Sequence, residues 1–197
     1  MSSNLTAPFP ELIKRIEEEG IVQGNEILKI DHFLNHRIEP AFMMRMAREI
    51  AARLRPLGPE MVLTAEASGI APGLLVALEL DVPLVYAKKY HPDVETPMLS
   101  RVLPSPTKGG HYRMVLSQRY LPAGSKTVIV DDFLSNGRTA VALLEMAREA
   151  GIEVVAAAFL VEKSFKQGHA QVESFGVPLV TLAQVEALVD GKAILRK

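Results

Sequence analysis

A chain of 197 residues, 48% of them hydrophobic, can bury one well-formed core and is short for two. Its net charge of −1 creates no global field to recruit nucleic acid or an anionic membrane. With no cysteine, disulfides, thiolate metal centres and thiol nucleophiles are excluded.

The N-terminal MSSNLTAPFPELIKR lacks a hydrophobic signal core, and the longest apolar runs, such as Val154–Val161, are far too short to span a bilayer. The expectation is a soluble cytoplasmic protein. Pro10–Glu19 reads as a short helix with Leu12, Ile13 and Ile16 on one face and Gly20 as its stop. Ile27, Leu28 and Ile30 suggest a strand or extended arm, after which Asp31 and Asn35 are placed to line a pocket. From Glu39 to Leu57 the apolar positions Met43, Met46, Ala47, Ile50, Ala51 and Leu54 recur at steps of three and four, which predicts an amphipathic helix.

Met61–Ala65 predicts a short strand, followed by Glu66-Ala67-Ser68-Gly69 and a helix to Leu80 with Pro72 in its first turn; Val82–Ala87 is the next strand. The alternation resumes with Thr127–Val130, the helix Thr139–Ala150 ended by Gly151, and the strand Val154–Val161. Strands alternating with helices predict an α/β fold, a parallel sheet with helices on both faces, in one domain over residues 1–197. Lys88–Pro122 breaks the rhythm with five prolines and Gly109-Gly110, and reads as a long excursion holding a strand near Tyr112–Leu116. Past Val161, a final strand is expected near Leu179–Leu182 and a short helix near Gln184–Val189.

One stretch concentrates the chemistry. TVIVDDFLSNGRTAV (Thr127–Val141) is a buried strand, two acids at its end, a small polar loop and the start of a helix. The loop's N–H groups and the helix N-terminus suit a phosphate, and the acids suit hydroxyls or a metal-bound substrate. Acids at a strand end are also an ordinary way to end a strand; position decides here, because ligands of open α/β sheets bind beyond the strands' carboxyl ends. Neither GxxxxGK[ST] nor GxGxxG occurs, so nucleotide hydrolysis and dinucleotide binding lose their usual support. The five histidines show no metal-ligand spacing.

Thr127–Ala140 resembles the binding signature for 5-phospho-α-D-ribose 1-diphosphate (PRPP) of the type I phosphoribosyltransferases. Three further segments, EGIVQGNEILKIDHFLNHRIEP, AEASGIAP (Ala65–Pro72) and VEKSFKQG (Val161–Gly168), resemble the bacterial branch of that family that acts on xanthine. The resemblance implies the type I fold, with a small hood from about residues 21–38 and 160–190. It implies that Ser135, Asn136, Gly137, Arg138 and Thr139 hold the 5′-phosphate, and that Asp131 and Asp132 are the catalytic acids beside the ribose. It places Leu28, Asn35 and Lys163 at the base, Ala67-Ser68-Gly69 at the pyrophosphate, and Lys88 and Lys108 near the leaving group. Mg²⁺ would accompany PRPP and diphosphate, no metal site of the protein's own is implied, and the enzyme would be a homodimer of purine salvage making xanthosine 5′-monophosphate (XMP). Without that resemblance, Lys163 reads as a surface charge pairing with Glu162, and Asn35 as a cap. The alternatives are adenine or guanine/hypoxanthine specificity, or a purine-responsive regulator with the same fold.

Overall fold

The structure, a computed structural model, describes residues 5–89, 98–104 and 110–197. The chain opens with helix α1 (Pro10–Glu19), a small antiparallel hairpin of β1 (Ile21–Gln23) and β2 (Ile27–Lys29), and helix α2 (Pro40–Leu54). Strand β3 (Met61–Ala65), helix α3 (Ile70–Leu80) and strand β4 (Leu84–Ala87) form a first β-α-β unit. A second antiparallel hairpin follows, β5 (Met98–Pro104) with β6 (His111–Ser117). The alternation returns with β7 (Lys126–Leu134), α4 (Arg138–Glu149), β8 (Glu153–Lys163), α5 (Gly168–Glu173), β9 (Leu179–Val189) and the antiparallel return β10 (Lys192–Leu195).

The six-stranded sheet runs β10-β9-β8-β7-β3-β4, parallel throughout except for β10. From β3 the chain builds outward to β4, and from β7 it builds the opposite way through β8 and β9. The order therefore reverses between β3 and β7, and a crevice opens beyond their carboxyl ends. Both faces are covered. Val128, Val130, Ala158 and Leu160 pack with Met43, Met46 and Ile50 of α2, while Ile129, Ala157 and Phe159 pack with Leu143 and Met146 of α4 and Met114 and Leu116 of β6.

Pro40 opens α2 at a position where its missing N–H costs nothing, and the apolar face read from the spacing is buried. The α-helix stops at Leu54 and tightens to a 3₁₀ turn over Arg55–Leu57, because Pro56 has no N–H for the next α-type bond. Two sequence expectations change. The strand at Thr127 does not end before the acids but runs through them to Leu134. The expected helix at Gln184–Val189 is strand: β9 is continuous to Val189 and buried on both faces from Leu179 to Val185, so neither a two-residue nor a helical period is visible in it. Residues 21–38 lie outside the large sheet, whereas 179–189 belong to it as β9.

The N-terminal layer is held by two arginines. Arg15 lies 4.2 Å from the centre of the Phe33 ring and pairs with Glu39 at 2.7 Å. Arg53, its side chain 6% exposed, donates to the carbonyls of Leu5 (3.0 Å) and Thr181 (2.8 Å) and to Glu49 (2.8 Å). Arg53→Ala orphans both carbonyls and is expected to cost about 2 kcal/mol, read as a fall of roughly 4–8 °C in the thermal midpoint.

Candidate active site at the sheet reversal

Strand alternation sends Asp131 and Asp132 to opposite faces of β7. Asp131 follows Ile129 to the α4 side; Asp132 follows Val128 and Val130 to the α2 side. Although adjacent, the two acids have separate surroundings.

Asp131 is buried, and its Oδ1 accepts the Asp132 N–H at 2.9 Å. Burial pushes its carboxyl well above the usual carboxylate range, and the neighbouring Asp132 charge pushes the same way, against the Asp132 N–H and the Lys89 ammonium. The turn after β3 presses close to it: a methyl group added at Gly69 would stand 2.6 Å from Asp131 Oδ1 and against Thr64 Oγ1. Glycine at position 69 is therefore what lets the Ala67-Ser68-Gly69 turn reach the acid. Asp132 accepts Ser68 Oγ at 3.0 Å and Asn35 Nδ2 at 2.5 Å, tying that turn and the N-terminal segment to the end of β7.

Beyond the acids the chain turns at Ser135–Gly137 into α4. Gly137 sits at the N-cap with φ of 76° and carries no side chain to cap the first-turn N–H groups, an arrangement that suits an anion. A cavity of about 250 Å³ lies here, lined by Asp131, by Ser135, Asn136, Gly137, Arg138 and Thr139, and by Pro104 and Tyr112 of the β5–β6 hairpin. All five expected phosphate-loop residues thus converge with Asp131. The hairpin comes from the Lys88–Pro122 excursion, which places part of that excursion over the pocket. Residues 90–97 and 105–109, Lys108 among them, lie outside the described residues. Lys88 is joined by its backbone to Val115 in both directions (2.8 and 2.7 Å), with its ammonium 5.8 Å from the Tyr86 ring centre.

On the opposite face, Lys163 at the end of β8 donates to the Glu26 carbonyl at 2.7 Å and stands 5.9 Å from the centre of the Phe133 ring. Burial first, and then the nearby Lys166 charge, hold its ammonium below the usual lysine range; the Glu26 carboxylate opposes them. Lys166 meets that carboxylate at 2.6 Å. Leu28 of β2 is buried in the core shared with α2. The pairing of Lys163 with Glu162 is not formed: Glu162 points away, is 1% exposed, and bonds His169 and Gln184. Phe133 and Glu26 carry no signal in the sequence, and Glu162 is read there only as a partner for Lys163. An acid inside the apolar run AAAFLVEK was the visible signal for Glu162.

Among the described residues no three His, Cys, Asp or Glu gather to hold a metal. Asp131, which lines the cavity beside the α4 N-terminus, nevertheless fits Mg²⁺, which commonly takes one or two protein carboxylates and completes its shell with substrate oxygens and water. Among the described residues no helix is long and apolar enough to cross a membrane.

A family model described as a phosphoribosyl transferase domain matches residues 31–180. A xanthine phosphoribosyltransferase of Chloroflexus aurantiacus is 53% identical over 191 residues, 97% of this chain and 90% of that protein. One from Heliobacterium modesticaldum is 40% identical over 184 residues, 93% of this chain and 98% of that protein. Among solved structures, an adenine phosphoribosyltransferase of Trypanosoma brucei, in complex with AMP, pyrophosphate and ribose-5-phosphate, aligns with a TM-score of 0.73 at 19% identity, covering 88% of this chain and 79% of that one. The adenine enzyme of Rhodothermus marinus aligns with a TM-score of 0.69 at 24% identity, covering 90% and 100%.

Proposed function

The chain belongs to the phosphoribosyltransferase family and has its type I fold, and from that membership we propose that it transfers the 5-phosphoribosyl group of PRPP to xanthine, yielding XMP and diphosphate. The observation that carries the sugar half is the arrangement at the end of β7: a buried acid and an uncapped helix N-terminus share one cavity at the sheet reversal. The choice of base is supported by relatives 53% and 40% identical that carry the name xanthine phosphoribosyltransferase.

In this reading the C1′–O bond of PRPP breaks, the electron pair leaves with diphosphate, and a xanthine ring nitrogen bonds C1′ as its proton is lost. Ser135–Thr139 hold the 5′-phosphate by backbone N–H groups and hydroxyls, which fixes the sugar. Asp131 and Asp132 approach the ribose from opposite sides of the strand and stabilise the positive charge that develops on it. The Ala67–Gly69 turn receives the diphosphate, and Lys88 serves the same anion. When bound with PRPP, Mg²⁺ would supply further neutralisation of the leaving group, and Asp131 with substrate oxygens is what would hold it. Lys163 donates to a xanthine carbonyl, Asn35 donates and accepts at the ring edge, and Leu28 gives an apolar contact. Residues 21–38 with the Lys163–Lys166 turn form the hood over the base.

Two finer points belong to the same reading: the protein works in the cytoplasm, and it works as a homodimer. The dimer is supported by exposed Leu74 and Leu78 on α3 (54% and 66% exposed) and by an apolar groove of about 620 Å³ at the β4 edge, lined by Leu84, Tyr86, Tyr120 and Pro122. Light scattering after gel filtration checks it, and a monomer at micromolar concentration counts against it.

The deciding experiment is diphosphate release from PRPP with xanthine, hypoxanthine, guanine and adenine run side by side. Xanthine is expected to be turned over fastest; no turnover of xanthine would sink the proposal. Lys163→Met is expected to raise KM for xanthine about 10–100-fold, the value of a charge-assisted hydrogen bond, with KM for PRPP within about twofold.

A further inference from the structure

Glu162 is the most deeply buried acid among the described residues, and the transfer reaction as derived makes no use of it. It stands one residue before Lys163 on β8, so alternation turns it away from the base side. Both of its oxygens are engaged. Oε1 meets His169 Nδ1 at 2.8 Å and accepts Ser164 Oγ at 3.2 Å, and Oε2 accepts Gln184 Nε2 at 2.8 Å. The other ring nitrogen of His169, Nε2, lies 3.2 Å from Glu173 Oε1. A neutral imidazole has one N–H and serves one of these carboxylates; only the protonated ring donates to both.

What this network holds is the start of α5. Gly168, the residue before His169, donates its N–H to the Ser135 carbonyl at 2.9 Å. Its Cα occupies the space beside Gly137, where an added methyl would stand 2.9 Å away, and Gln171 Oε1 closes the same space at 3.0 Å. A methyl at Gly168 would in turn collide with the Ser135 carbonyl oxygen. The first turn of α5 is thus a backing plate in direct contact with the loop Ser135–Gly137.

We infer that Glu162 and His169 are positioning residues for the 5′-phosphate loop: their contact fixes Gly168 against Ser135 and Gly137 and so sets the affinity for the phosphate end of the sugar substrate. The inference rests on the phosphoribosyl reading given above. Neither residue touches substrate; both act through the backbone of Gly168.

The pair also makes this affinity depend on pH. Burial pulls the His169 imidazole down, but its bonds and charges from Glu162 and then Glu173 outweigh that and hold it above the ordinary histidine value. The groups around it are Glu162 near the end of β8 and Ser164 just past it, Glu173 from α5, Gln184 from β9, and Arg196 past β10, which donates to Gln184 Oε1 at 2.9 Å; Lys197 lines one surface cavity with His169, Glu173, Gln184 and Arg196. With the folded-state value raised, the charged clamp is complete below the ordinary histidine pKa near 6.5 and loosens as pH rises through the raised value.

The test is calorimetric titration of the full chain with ribose 5-phosphate and, separately, with inorganic pyrophosphate. His169→Gln is expected to weaken ribose 5-phosphate about tenfold, as for a small misplacement of a binding loop, with pyrophosphate within about twofold. Glu162→Gln, which keeps the shape, should weaken it in the same direction. His169→Arg, permanently charged, should recover much of the affinity lost in His169→Gln. Between pH 6 and 9 it should also lose the part of the pH slope that exceeds the ligand's own titration. Unchanged ribose 5-phosphate affinity in both neutral variants overturns the inference, as does equal weakening of both ligands, which marks general damage. Failure of the unaltered protein to bind ribose 5-phosphate overturns the phosphoribosyl reading itself, a result distinct from either.

Discussion

Asp131→Asn is expected to leave a protein that is more stable than the original and nearly inactive. The carboxyl is enclosed by the Gly69 turn and the Thr64 side chain, and burial holds its pKa well above the usual range. A folded-state pKa above the unfolded value means that the folded protein binds the proton more tightly. That contribution is fully present below the ordinary aspartate pKa near 3.9 and is lost as pH rises through the raised value. As pH rises the native protein therefore bears the growing cost of confining an acid whose charged form burial disfavours. The amide carries none, while its oxygen can still accept the Asp132 N–H. A gain of about 1 kcal/mol corresponds to roughly 2–4 °C in a domain of this size and should shrink toward pH 4. Loss of the negative charge facing a cationic sugar should lower kcat by about a hundredfold or more. Asp132→Asn should also lose activity, but with lower stability, since its carboxylate anchors Asn35 and Ser68. Near-normal diphosphate release in both variants would remove the acids from the mechanism; calorimetry at pH 5 and 7.5 checks the stability half.

Gly137→Ala is expected to damage sugar binding more than its single methyl suggests. At φ of 76° a residue with Cβ is strained by about 1–2 kcal/mol. Here the methyl also meets backbone, the Gly168 Cα, which cannot swing aside as a side chain would. The loop or α5 must shift, and KM for PRPP should rise about thirtyfold or more with a smaller change for xanthine. Gly176→Ala is the control: its φ is 73°, yet nothing lies within 4 Å of the added atom. It should lose comparable stability and keep its KM. Equal kinetics in the two variants would show that strain, not the contact with α5, limits the loop.

The parts legible in the sequence are those whose causes are local. Strand, acids, loop and helix from Thr127 to Glu149 are contiguous, and α2 announces itself by its spacing. β9 was misread because a strand buried on both faces hides its two-residue period, and because Gln184 breaks the apolar run in a way that resembles a polar helix face. Its true environment is set by partners far along the chain, Glu162 and Arg196. The six-residue α5 buries one apolar side chain, Val172, and so leaves no pattern to detect. Within the site, the residue types were visible but their pairings were not. That Asn35 bonds Asp132, that Lys163 turns to Glu26 rather than to its neighbour, and that Gly168 supports Gly137 are all contacts of long sequence separation.

The two acids share a strand but not a face, and this gives the site a parity. Whether a carboxylate meets the phosphate side or the base side is decided by whether it stands an odd or an even number of residues from Val128. The core below tolerates one apolar side chain for another with modest loss. It does not tolerate a change in length: one residue inserted between Val128 and Asp131 exchanges the two acids while leaving every one of them present. Chains built on this plan should therefore vary in which apolar residues fill the stem of β7 and hold its residue count constant.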